Sequence, residues 1–178
     1  MYGIASPLAP SFDEPLEMLE ACHGRIEAQL ATLERLAAHL ARHGCDAEAR
    51  DAARFVMRYF DTSGLQHHRD EDEDLFPLLR RKAGEGGRAE VSAVINELEA
   101  DHATMDLQWS RLRERLDAIA RGEDAFLGAQ DVERFAWLNR RHIEKEAALV
   151  LPFAREALEL SERAALGTRM AARRKTTR

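Results

Sequence analysis

His67-His68-Arg69-Asp70-Glu71-Asp72-Glu73-Asp74-Leu75-Phe76-Pro77 is the stretch whose reading decides the fold, and its grammar recurs as His142-Ile143-Glu144-Lys145-Glu146-Ala147-Ala148-Leu149-Val150-Leu151-Pro152. In both copies the histidine is followed by a glutamate at +4, an aliphatic residue at +8 and a proline at +10. On a helix, residues four apart lie one turn above the other on the same face. Each copy therefore puts an imidazole and a carboxylate into an otherwise apolar stripe. The matched distance to proline favours His67 over His68 as the inward histidine and leaves His68 at the helix flank.

Working outward, two more helices carry one histidine each in a seam of heptad type. Leu16, Leu19, His23, Ile26, Leu30, Leu33, Ala37 and Leu40 form the first seam. Val91, Ile95, Leu98, His102, Met105, Trp109, Leu112, Leu116 and Ile119 form the third. The second line runs Ala53, Val56, Phe60, Gly64, His67, Glu71, Leu75 and Leu78, and the fourth Phe135, Leu138, His142, Glu146, Leu149 and Phe153. Asp13 with Pro15 predicts the first helix start, Gly44 its end, and Asp46 the next cap. Pro77 predicts a kink, and Gly84-Glu85-Gly86-Gly87 a break. Ser161 predicts the cap of a short fifth helix over 162–173, before a frayed basic end at Arg173-Arg174-Lys175-Thr176-Thr177-Arg178.

These signals predict an all-α protein: an up-down-up-down four-helix bundle over 13–160, a loosely ordered leader over 1–12, and a short C-terminal fifth helix with a basic tail over 161–178. The composition agrees. The chain has 178 residues, enough for one full core, with only 10 Gly and 5 Pro, and few β-branched residues. A net charge of −6 argues against a nucleic-acid partner. Cys22 and Cys45 form no disulfide pattern, and no membrane span or signal peptide is evident, so the cytoplasm is the expected location.

Four imidazoles and two carboxylates are costly to bury unless each finds a partner, and a metal supplies such partners. Histidine nitrogens with a few carboxylate oxygens suit the divalent transition metals from iron to zinc, and the lack of cysteine ligands argues against structural zinc. Six ligands suit two metals sharing carboxylates better than one tetrahedral ion. Two six-coordinate irons offer roughly twelve positions, of which about two stay open for a small ligand after four histidines, two bridging glutamates and one oxygen bridge.

The order His … His-x-x-x-Glu … His … His-x-x-x-Glu, with Leu75-Phe76-Pro77 after the first pair, resembles the haemerythrin-like (HHE) cation-binding domain family over residues 13–160. The segment Leu160-Ser161-Glu162-Arg163 resembles the short helix that often follows. Carried over residue by residue, the resemblance implies His23, His67, Glu71, His102, His142 and Glu146 as ligands of two non-haem iron ions joined by an oxygen bridge, with both glutamates bridging. It implies binding of dioxygen, nitric oxide or peroxide. The oxygen carriers of the family place a second histidine one turn after the third-helix histidine, where this chain has Asp106. They also end with a histidine and an aspartate five apart, where this chain has His142 and Glu146. Asp106 stands as an alternative ligand, although an exposed aspartate on a helix ordinarily faces water.

The functional expectation is a di-iron protein binding a small diatomic or peroxide ligand for sensing, storage or stress response. The alternative is a di-iron oxidase or peroxidase-like enzyme. No nucleic-acid or membrane partner is expected, and no protein partner can be named. Of the acidic run 70–74, only Glu71 falls on the inward line, which leaves the others on a solvated face. Trp109, Trp137, Phe60 and Phe135 are read most simply as core, with closure of the cavity to bulk water as the lesser reading. His39 and His43 fall at the first helix end, solvent-facing or capping.

Overall fold

Pro15 opens the first helix because a helix start needs no N–H there and the ring already holds a helical φ. In the computed structural model, which describes residues 10–123 and 126–175, this helix is α1 (Pro15–His43). Most of the expected leader and the last three residues lie outside the described residues. Asp13 does not cap α1. Glu14 flanks the helix without a side-chain bond, and the Asp13 carboxylate accepts the Ser11 hydroxyl at 3.2 Å instead. Gly44 ends α1 at φ 71°, a conformation that penalises any side chain. Asp46 then caps α2 (Ala47–Tyr59), accepting the Ala49 N–H at 2.9 Å.

From residue 47 to 85 the chain stays helical but not uniformly α. It runs through α2, a wide turn π1 (Phe60–Gly64), α3 (Leu65–Asp70), a second wide turn π2 (Glu71–Leu75) and α4 (Phe76–Glu85). The break falls at Gly86 and Gly87, inside the expected Gly84–Gly87 segment. After it come α5 (Ala89–Ala120), α6 (Ala129–Lys145), π3 (Glu146–Val150), α7 (Leu151–Ala157) and α8 (Leu160–Lys175). The all-helical expectation holds, and no strand occurs among the described residues. None of the described helices is long and apolar enough to cross a membrane.

The two prolines at +10 explain two of the wide turns. Proline offers no N–H, and its ring crowds the carbonyl four residues back, here those of Glu73 and Ala148. In place of a sharp kink, the Phe76 N–H reaches the Glu71 carbonyl and the Leu151 N–H reaches the Glu146 carbonyl, each spanning one residue more than an α-turn. The added residue shifts the register. Leu149, expected inward, is 52% exposed, while Val150 is fully buried in its place.

The core falls into two apolar clusters. One gathers Leu16, Leu19, Leu75, Phe76, Leu79, Ile95, Leu98, Val150 and Leu151, joined by Leu166 and Met170 from α8. The other gathers Ile26, Leu30, Leu33, Val56, Met105, Leu116, Val132 and Phe135. Along every helical rod, the histidines and glutamates of the sequence motif lie between the two. Across the surface, Arg54 donates to the Ala120 carbonyl and Arg80 to Glu99, while Lys145 pairs with Glu97, Arg140 with Glu27 and Glu34, and Arg155 with Glu20. Exposed pairs of this kind contribute about 0–1 kcal/mol each, so burial carries the fold.

α8 begins at Leu160, with the Glu162 carboxylate accepting the Glu159 N–H at 3.0 Å, so Ser161 is inside the helix and not its cap. It packs against α1, α3 and π2. The contact is close: a methyl group at Gly167 would stand 1.8 Å from the Phe12 carbonyl oxygen, whereas one at Gly84 meets nothing. Gly167→Ala is therefore expected to destabilise the chain by about 1–3 kcal/mol. Gly84→Ala should be neutral or stabilising by up to ~1 kcal/mol in chemical denaturation, since it removes only unfolded-state freedom.

Candidate metal centre

His23 from α1, His67 from α3, His102 from α5 and His142 from α6 all point into the polar layer between the two core clusters, with Glu71 and Glu146 beside them. Each glutamate is the first residue of a wide turn, so the same proline-driven local structure presents both carboxylates. Both glutamates are fully buried, and the four imidazoles are at most 7% exposed. The ring centroids of His23 and His67 are 5.3 Å apart, and those of His102 and His142 4.6 Å.

The donor atoms form two groups, each within 4.8 Å of itself. His23, His67, Glu71 and Glu146 make the first; Glu71, His102 and His142 make the second. Glu71 belongs to both. The six residues singled out from the sequence are thus brought together. Asp106 is in neither group, and its side chain is largely exposed.

The protein satisfies few of these atoms itself. His23 Nε2 lies 2.8 Å from Glu146 Oε2, and His102 Nε2 3.1 Å from His142 Nε2. Glu71 approaches His67 at 3.1 Å and His102 at 3.2 Å, yet neither of its oxygens makes a hydrogen bond. Both ring nitrogens of His67, Nδ1 of His142 and Oε1 of Glu146 are likewise buried without a hydrogen bond. A buried polar atom left unpaired costs about 1–3 kcal/mol, so an arrangement this deficient needs a ligand of its own. Imidazole nitrogens and carboxylate oxygens in this ratio suit a divalent transition metal.

The electrostatics of the layer are divided. Burial, then the charge of Glu146, hold the Glu71 carboxyl well above the usual carboxylate range. Burial, with neighbouring imidazoles adding to it, holds His67 well below its ordinary value and brings His142 down to about 2. His102 goes the other way: against burial, its hydrogen bond to Asp72 and the nearby Glu71 carboxylate raise it to about 10. His67 and His142 are thus neutral at ordinary pH, as metal ligation requires.

A model of the Hemerythrin HHE cation binding domain matches residues 14–154. The chain belongs to that family. An uncharacterized protein of Haemophilus influenzae is 29% identical over 164 residues, covering 92% of each chain. As in the family's name, this HHE chain carries a cation-binding donor set in its interior.

Some of the site was not foreseen. The Asp72 carboxylate accepts from His102 Nδ1 at 2.8 Å, fixing that ring from outside the donor group, and no spacing signal in the sequence marks it. His68 is not merely at the helix flank: its ring stacks on His102 with centroids 4.1 Å apart. Burial lowers it well below the ordinary histidine value. It lines a cavity of about 500 Å³ with Phe60, Leu65, Met105, Trp109 and Phe135. Trp109 and Phe60 are therefore cavity wall as much as core, and the Trp109 indole N–H donates to Asp61 at 3.1 Å. Trp137, expected in the core, is 59% exposed beneath Arg141.

If donor crowding is the dominant strain of the metal-free protein, Glu71→Gln should raise its stability by about 1–3 kcal/mol, because an amide relieves both the charge burial and the missing partners. Thermal unfolding in the presence of a chelator measures this, and an unchanged or lower midpoint contradicts it.

Proposed function

We propose that this chain is a di-iron protein that binds a small diatomic or peroxide ligand, in an up-down-up-down bundle spanning residues 13–160 of a cytoplasmic protein. The observation that carries the reading is the pair of donor groups sharing Glu71, with buried nitrogen and oxygen atoms that nothing in the protein satisfies. His23, His67, Glu71 and Glu146 would hold one ion, and Glu71, His102 and His142 the other. Two iron ions held there would supply positions for a small ligand and electron exchange.

The chain's own residues divide the remaining work. Asp72, through its 2.8 Å contact with His102 Nδ1, orients that ligand from outside the donor groups. The second group offers three protein donors against four in the first. The cavity lies on the side of that second group. Phe60, Met105, Trp109 and Phe135 give it apolar walls, Asp61, Asp106 and Arg113 line it as well, and His68 stands between the wall and His102.

The up-down order is supported by the surface pairs. Early residues of the second rod meet late residues of α5 (Arg54 with Ala120), and late ones meet early ones (Arg80 with Glu99). The last rod is paired with α1 in the same reversed sense, Arg140 with Glu27 and Arg155 with Glu20.

One observation favours the enzyme reading as a second candidate. A cavity of about 500 Å³ is far larger than a diatomic ligand needs and falls in the range of small-molecule sites. Turnover of peroxide with an added reductant supports that reading, and its absence removes it.

The metal reading is tested by elemental analysis and optical spectroscopy of protein purified from iron-replete cells. Two irons per chain with oxo-bridge or ligand-to-metal bands are expected; no stoichiometric iron overturns it. Glu71→Ala and Glu146→Ala should abolish the two-metal site, whereas His68→Ala should leave metal content nearly intact. Metal at a hundredfold excess over its dissociation constant should stabilise the fold by about 2.7 kcal/mol.

A further inference from the structure

Two carboxylates of the acidic run, expected to be solvated, are buried, and the basic end of the chain is helical up to Lys175. Asp70 is fully buried and Asp74 nearly so. Arg174 grips Asp70 with both prongs, Nη2 to Oδ2 at 2.7 Å and Nη1 to Oδ1 at 3.2 Å. Arg173 spans three carboxylates, reaching Asp70 at 2.5 Å, Asp74 at 2.5 Å and Glu73 at 3.0 Å. Arg169 adds a 2.5 Å contact to Asp74. All three arginines are on α8, which lies beyond the stretch matched by the family.

We propose that Arg169, Arg173 and Arg174 are positioning residues for Glu71: α8 is a strap that fixes the π2 turn and thereby sets where the shared carboxylate stands. The ion pairs bracket that turn. Asp70 immediately precedes Glu71, and Asp74 is inside π2. A planar guanidinium fixes the direction of a carboxylate as well as its charge. Removing either partner of a buried pair leaves an uncompensated charge, so the strap does not open cheaply.

The two shared-motif glutamates show why one of them needs bracing. Glu146 is held directly by His23, and its π3 turn, Glu146-Ala147-Ala148-Leu149-Val150, contains no other acidic residue. Neither oxygen of Glu71 makes a hydrogen bond, so its direction is set by the backbone that carries it. A wide turn interrupts the regular i to i−4 ladder of the helix. The arginines hold it through Asp70 and Asp74, which belong to neither donor group. Phe12 seats the strap from below, its ring 5.0 Å from the Arg174 guanidinium.

The inference rests on the metal reading for one of its two readouts and is independent of it for the other. The full-length chain is stripped of metal, and amide exchange is followed across residues 66–76; Co²⁺ affinity is then measured by competition with a chelator. Arg173→Ala/Arg174→Ala is expected to speed exchange in that segment and to weaken Co²⁺ binding by about 10–100-fold, as loss of groups that orient ligands does. Arg173→Lys/Arg174→Lys keeps the charge and loses the fork, so it should fold and fall between the two. Arg155→Ala, which removes a pairing between α7 and α1, should change neither readout. Wild-type exchange in the Ala variant, or in the Lys variant should the Ala variant not fold, overturns the strap. So does wild-type Co²⁺ affinity in a variant whose exchange is fast. If the unmodified chain binds no Co²⁺, the metal reading fails, and the exchange comparison alone decides whether α8 holds the turn.

Discussion

Two carboxylates and four imidazoles share an interior layer in which the protein gives them too few hydrogen bonds, and the rest of the structure follows from tolerating that layer. Burying charge without a partner is among the largest penalties a fold can carry. Here the penalty is partly met within the layer, by His23 on Glu146 and by the contact between His102 and His142, and partly from its rim, by Asp72 on His102. The remainder is left open at Glu71, at His67 and at single atoms of His142 and Glu146. An interior that keeps its donors unsatisfied in this way stores free energy that an ion can release on binding.

The layer also divides the apolar core. Each of the two clusters must be stable enough to hold its end of four helical rods, because no continuous hydrophobic seam joins them through the middle. The proline at +10 in each motif serves this division. It forces a wide turn that begins at the glutamate, directing the carboxylate inward while Val150 or Leu75 closes the apolar cluster immediately beyond. Local backbone chemistry and long-range ligand placement are thus one device. The third wide turn, Phe60–Gly64, has no proline behind it. It forms the cavity wall, where a methyl group at Gly64 would meet the Phe60 ring at 3.2 Å.

How far the sequence could be read follows from these mechanics. The six donors were legible because each is the polar exception in an apolar helical seam, and a seam is a local property. Leu149 was misplaced because helical periodicity assumes a constant 3.6 residues per turn, and the inserted residue of π3 moves Val150 into its position. Trp137 was misplaced because hydrophobic character does not fix side: a helix that buries Phe135, Ala136 and Leu138 leaves one large ring outside, covered by Arg141. The arginines of α8 and the aspartates of α3 and π2 are about 100 residues apart. No local pattern says that a basic run and an acidic run will meet, and each alone reads as a solvated surface.

The strap gives this separation a physical meaning. α8 buries Leu166 and Met170 in the first cluster, worth about 1.5–3 kcal/mol each, which is enough to dock a helix but does not determine what its polar face touches. That face meets the carboxylates on either side of Glu71, although a helix docked by two apolar residues could have covered any part of the first cluster. Asp70 and Asp74 would be costly in this position without α8, since both are buried. Their burial and the arginines therefore require one another. An element outside the family's matched stretch is thereby coupled to the residue on which both donor groups converge.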